Sequence, residues 1–188
     1  MKRVSSLTLA GAMIWLTGCA SAPREVAVTP VGPAPTDITH QAGNGSLVIY
    51  TARARADVDP NMEEWLWNND YGKNEFLYET AHTGYTIYTR DGKVLQHVAN
   101  ARSRDDDTPT VVALPAGSYR VEAEAISCDS SRVRVLMPVV VKPGQATLAY
   151  LEGGWRPEGE YRQAELARLP CGRAIGWRAS EQGFATTP

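Results

Sequence analysis

The sequence predicts a mainly β protein: a single antiparallel β-sandwich of about seven strands, with a cleavable N-terminal signal, a Pro-rich tether and a short C-terminal helix. Three observations carry this. From Ser46 to Leu151 the chain is a succession of short β-type runs broken by turn residues. Tyr119–Ile126 alternates, with Tyr119, Val121, Ala123 and Ala125 on one face and Arg120, Glu122 and Glu124 on the other, as in a strand with one wet side. Asp91-Gly92, between two such runs, supplies the positive φ angles of a tight hairpin turn.

At the N-terminus, Lys2 and Arg3 give a positive start and Leu7–Leu16 an apolar run of about ten residues, the length of a signal-peptide core. A membrane-spanning helix needs about twenty apolar residues, and here the chain turns at once to Thr17-Gly18-Cys19-Ala20-Ser21. Leu16-Thr17-Gly18-Cys19 resembles the lipobox of bacterial lipoproteins. That resemblance implies that residues 1–18 are removed and that Cys19 becomes the first residue, carrying a diacylglyceryl thioether and an N-linked acyl chain such as palmitate. Acyl burial is worth about 0.8 kcal/mol per methylene, so several chains anchor a protein permanently. In the family an Asp after the lipidated Cys retains the protein at the inner membrane. Ala20 stands there instead, which implies the outer membrane, facing the periplasm. An ordinary secretory signal with a chance Cys is the competing reading.

Removing residues 1–18 leaves 170 residues, enough for one full core plus a tail. The whole chain has a net charge of −2; the signal takes two basic residues and no acidic ones, leaving −4. Without basic blocks, nucleic acid is excluded as a partner, because phosphate binding rests on clustered Lys and Arg. With Cys19 lipidated, Cys128 and Cys171 remain as an even pair in an oxidising compartment, which reads as a disulfide. It would close a loop of about 43 residues and contribute roughly 3–4 kcal/mol. Two free buried thiols are the alternative, and no Cys or His lies near either to complete a zinc site.

Residues 19–45, with Pro23, Pro30, Pro33 and Pro35 among small and polar residues, read as a tether able to extend about 3.1 Å per residue. The sandwich domain follows over 46–152. Its expected strand runs are Ser46–Thr51, Tyr85–Tyr88, Val94–Val98, Thr110–Leu114, Tyr119–Ile126, the alternating Arg132–Leu136, the fully apolar Pro138–Val141 and Ala146–Leu151, with turns at Arg90–Lys93, Pro115–Ser118 and Pro143–Gln145; a closed barrel is the alternative to the sandwich.

Leu114-Pro115-Ala116-Gly117-Ser118-Tyr119-Arg120-Val121, with the strand opening at Leu47, His82-Thr83-Gly84-Tyr85 and the Pro143-Gly144 turn, resembles bacterial carboxypeptidase-regulatory-like and transthyretin-like domains over roughly residues 45–152. The resemblance implies a prealbumin-like sandwich serving as an accessory or binding module. Transthyretin-like hydroxyisourate hydrolases end in a Tyr-Arg-Gly-Ser signature. This chain ends in Phe184-Ala185-Thr186-Thr187-Pro188, and no catalytic residue is carried over.

No other chemistry has a local signature. His40 lies in the tether, His82 before a strand and His97 in a hairpin strand, and no nucleophile motif accompanies them. Asp105-Asp106-Asp107 lacks the alternating calcium-loop pattern and reads as a solvated loop beside Arg102 and Arg104. No metal or cofactor is expected.

The stretch 56–83 interrupts the strands with Trp65, Trp67, Tyr71, Phe76 and Tyr78 among acidic residues. A connection this long inside a sandwich is more often functional than idle. Its rings suit stacking on sugars or anchoring a protein partner, or else they cap the open end of the core. In the C-terminal piece, 153–188, Glu158–Leu169 has helix-forming composition, Pro170-Cys171-Gly172 stops it, and Ile175 and Trp177 dock on the sandwich.

Two functional readings follow. In the first, the protein is a non-enzymatic envelope module whose aromatic insertion binds a glycan, peptidoglycan or an envelope protein. In the second, it is a small periplasmic hydrolase using His82 or His97 with a carboxylate from Asp105–Asp107, which requires those groups to converge.

Overall fold

A computed structural model describes residues 24–27, 29–34, 43–56, 60–69, 78–103 and 105–179. Cys19, the signal and the last residues of the tail lie outside them.

The longest strands are those whose sequences alternate most cleanly. Strands β9 (Gly117–Ile126) and β10 (Arg132–Val141) form an antiparallel hairpin ten residues deep, from Arg132 opposite Ile126 to Val141 opposite Gly117. Val121, Ala123 and Ala125 of β9 and Val135, Met137 and Val139 of β10 point into one core. On the far side of β9, β6 (Tyr85–Thr89) pairs antiparallel and is followed by β7 (Val94–Val98). The turn between them falls where expected but with a different geometry: Gly92 takes a positive φ, 87°, and Asp91 does not, and the Gly92 N–H donates to the Thr89 carbonyl at 3.0 Å, so Arg90 and Asp91 are the central residues and Gly92 follows them.

The remaining pairings depart from a seven-strand antiparallel sandwich. β3 (Asn44–Tyr50) lies parallel to β11 (Ala146–Tyr150), with Tyr50 opposite Tyr150, and antiparallel to β8 (Val112–Pro115). β1 (Arg24–Val26) and β2 (Val31–Gly32) both run parallel to β10. β13 (Ala174–Arg178) sits between β2 and β11 and also pairs with β12 (Leu166–Arg168). The result is one mixed, curled sheet of eleven strands, in the order β7-β6-β9-β10-β2-β13-β11-β3-β8 with β1 and β12 added at β10 and β13. β4 (Arg53–Arg55) and β5 (Tyr78–His82) form a separate two-stranded ribbon. The curl brings distant strand ends together: Ala52 N–H donates to the Glu124 carbonyl at 3.0 Å, and Ile126 N–H to the Leu151 carbonyl at 2.8 Å.

Two expectations are corrected. The tether read over 19–45 is not free throughout, because residues 24–26 and 31–32 are strands and Val31 is fully buried. Two- and three-residue strands need few ladder hydrogen bonds, so prolines on either side of them do no harm. The helix expected over Glu158–Leu169 is only a 3-10 turn at Gln163–Glu165, after which β12 joins the sheet. Gly159, at φ 82°, breaks the run at its start, and burial of Leu166, Ala167 and Leu169 outweighs a helix propensity of tenths of a kcal/mol per residue. Ile175 is buried and Trp177 half-buried on β13, as read from the sequence. Gly176 between them admits no side chain, since a Cβ there would lie 2.7 Å from the Leu148 carbonyl oxygen.

Candidate functional site

Between β4 and β5 the chain forms helix α1 (Pro60–Asn69), within the insertion read over 56–83. Pro60 suits a first helical position, where its missing N–H costs nothing. Glu63 lies in the first turn, favoured by the positive end of the helix dipole. Its carboxylate accepts from Arg55 of β4, bracing the helix against the ribbon from which it springs. Met62 and Trp65, three residues apart and therefore neighbours on one helix face, are 51% and 52% exposed. Trp67 follows on the same helix, and Tyr78 opens β5. Tyr71 and Phe76 lie outside the described residues.

The ribbon is rooted in the curled end of the sheet. Arg132, the first residue of β10, donates to the Arg53 carbonyl; Arg53 donates to the Thr80 carbonyl and pairs with Glu152 at 3.1 Å. Beneath this root lies a buried polar network. The Thr51 hydroxyl donates to the Thr83 carbonyl at 2.7 Å, and the Asn100 amide donates to the Ile49 carbonyl and to Thr51 Oγ1 while its oxygen accepts from Thr110 N–H at 3.1 Å. Asn100 adopts φ 64°, a conformation Asn tolerates better than most residues. The network ties β3, the approach to β6 and the approach to β8 at one point, which is a structural task.

His82 belongs to that buried set. Its Nδ1 is 2.7 Å from the Thr51 carbonyl, so it carries the proton and donates, while Nε2 is buried without a partner. The ring is 2% exposed. His97 is exposed on β7 with Nδ1 3.0 Å from Thr86 Oγ1. Among the described residues the hydrogen-bond partners of the two histidines are the Thr51 carbonyl and the Thr86 hydroxyl. Asp106 is engaged locally: Thr108 N–H donates to it and holds its carboxyl below the usual range. No group of three or more metal-ligating side chains occurs among the described residues. The Tyr85 hydroxyl is also buried without a partner, and burial pushes its pKa well above the ordinary tyrosine value.

A second aromatic cluster was not legible in the sequence. Tyr50 and Tyr150 stack at 4.8 Å, Tyr150 and Trp155 at 4.6 Å, and Trp177 meets Trp155 and Tyr161 edge to face at 6.3 and 6.2 Å. His82 closes the other end, edge to face on Tyr50 at 5.6 Å. These rings pack on one another at ordinary aromatic distances, so the ladder fastens residues 150–161 to the sheet.

Cys128 and Cys171 are paired in a disulfide with Cα atoms 6.0 Å apart. Cys171 N–H also donates to Glu25 at 3.4 Å, so the tail and the first strand meet at the same end of the sheet as the root of α1. No helix among the described residues is long and apolar enough to cross a membrane. No protein-family model, curated protein or solved structure matches the chain.

Proposed function

We propose that the protein is a lipid-anchored, non-enzymatic accessory module of the cell envelope, attached through Cys19 at the outer membrane and facing the periplasm, that binds an envelope component through α1. The observation that carries the binding surface is the pair Met62 and Trp65, half exposed on a helix held outside the sheet by Arg55 and Glu63. The core is closed by the curled sheet without them. A large aromatic side chain left half exposed on a braced element is typical of an interaction anchor. The lipobox-like Leu16–Cys19 supports the anchor, and the likeness of Leu114–Val121 to carboxypeptidase-regulatory-like modules supports an accessory role.

The test is retention of the protein, expressed without residues 1–19, on washed envelopes, compared with Trp65→Ala. Loss of a central Trp anchor costs about 2 kcal/mol, roughly thirtyfold in Kd. A fall of that size with an unchanged melting temperature supports the reading. Unchanged retention removes α1 as the binding surface.

A further inference from the structure

We infer that the envelope component met by α1 is the lipid surface that carries the anchor, with Met62 and Trp65 seated at the membrane–water interface; this rests on lipidation of Cys19. Only residues 20–23 separate Cys19 from Arg24, the first residue of β1. Fully extended, the five steps from Cys19 to Arg24 span at most about 17 Å. The domain therefore hangs close beneath its lipid.

The strand registers say which end faces it. Arg24 lies opposite Arg134, which lies opposite Glu124, whose carbonyl accepts from Ala52 N–H. Ala52 immediately precedes the ribbon that bears α1. Arg24 is level with a residue two positions along β10 from Arg132, whose guanidinium holds the Arg53 carbonyl. Arg24, the first described residue, and the root of α1 thus lie at one end of the sheet. The Arg90–Lys93 turn is at the other: Thr89 pairs with Tyr119, and Tyr119 with Val139, five residues and about 17 Å along β10 from Arg134.

The charges at the anchored end favour an apolar contact over an electrostatic one. Among the described residues Arg53 pairs with Glu152, Arg55 with Glu63 and Arg132 with Glu124, and Arg24 and Arg134 share Glu122, so most of the cations at this end are compensated. Tryptophan, with an apolar body and a polar N–H, suits the interface itself. A short tether also supplies a high effective concentration, which adds to the patch's own affinity in orienting the domain.

The experiment uses the mature lipidated chain in vesicles of phosphatidylethanolamine and phosphatidylglycerol. Met62→Cys and Lys93→Cys each add one reactive thiol, because Cys19 is a thioether and the other cysteines are paired. Each is labelled with the same fluorophore, and a nitroxide is placed on the lipid headgroups. We expect quenching at position 62 at least threefold stronger than at 93, little changed by 0.5 M salt, and at least halved when Trp65→Ser is added. Equal quenching at the two positions in a chain whose acylation is verified by mass overturns this inference and leaves the anchored-module reading standing. Absence of acyl groups overturns both.

Discussion

Arg24 and Arg134 lie side by side across a parallel strand pair, and both guanidinium groups close on Glu122, at 2.8 and 3.7 Å. This clamp ties β1 to the β9–β10 hairpin. Glu122 is largely buried within it, whereas both arginines are half exposed, so solvent screens much of the attraction. We expect Glu122→Gln to cost on the order of 1 kcal/mol and to expose the chain near Arg24 to proteolysis, read from the denaturant midpoint and from limited digestion with trypsin.

Tyr88 also donates to Glu122, at 2.8 Å, and this hydrogen bond raises the Tyr88 pKa above its ordinary value of 10.0. The folded state holds the phenolic proton more tightly than the unfolded chain. The contribution is therefore fully present below pH 10 and is lost as pH rises through the folded pKa. Ultraviolet titration should show Tyr88 ionising later than an exposed tyrosine, assigned by comparison with Tyr88→Phe. Glu122→Gln should return it toward the ordinary value.

The Cys128–Cys171 bridge closes a loop with a sequence separation of 43 residues. Replacing both cysteines by serine should lower stability by about 3–4 kcal/mol, a drop in melting temperature on the order of 10 °C. Amide exchange should accelerate first in β12 and β13, the strands Cys171 sits between.

Asn100 is fully buried, adopts φ 64° and serves two elements at once. Asn100→Ala leaves buried backbone groups without partners and places a Cβ-bearing residue, without the amide, in the left-handed region. A loss of roughly 3 kcal/mol or more is expected in chemical denaturation. Asn100→Gly, which relieves only the backbone strain, should recover the smaller part of it.

The aromatic ladder and the α1 face give opposite results in one assay. Trp155→Ala should lower stability by about 2 kcal/mol and reduce the near-ultraviolet circular dichroism that stacked rings produce. Trp65→Ala should leave stability within about 0.5 kcal/mol of the parent.

The hairpin strands were legible because Arg120, Glu122 and Glu124 alternate with Val121, Ala123 and Ala125, a pattern only a half-wet strand satisfies. The turn at Gly92 was legible because its backbone takes a positive φ there, although Asp91 does not share it. The parallel pairing of Tyr50 with Tyr150 was not, since nothing local says which of several strands lies beside which. The aromatic ladder depends on that pairing and was hidden with it. β1 and β2 were hidden by neighbouring prolines, and β12 by a helix-forming composition that burial of Leu166 and Ala167 overrides. Of the candidate site, Trp65 was named from its residue type and setting. Its exposure, and its place at the same end as Arg24, needed the register of β10.

The central claim is that Cys19 fastens this domain to a membrane. Mass measurement of the N-terminal peptide, released from the membrane fraction of cells producing the full chain, tests it most directly. We expect a chain that begins at Cys19 and carries a diacylglyceryl group and a third acyl chain. A peptide that begins at Met1, or an unacylated Cys19 in the soluble fraction, would contradict it.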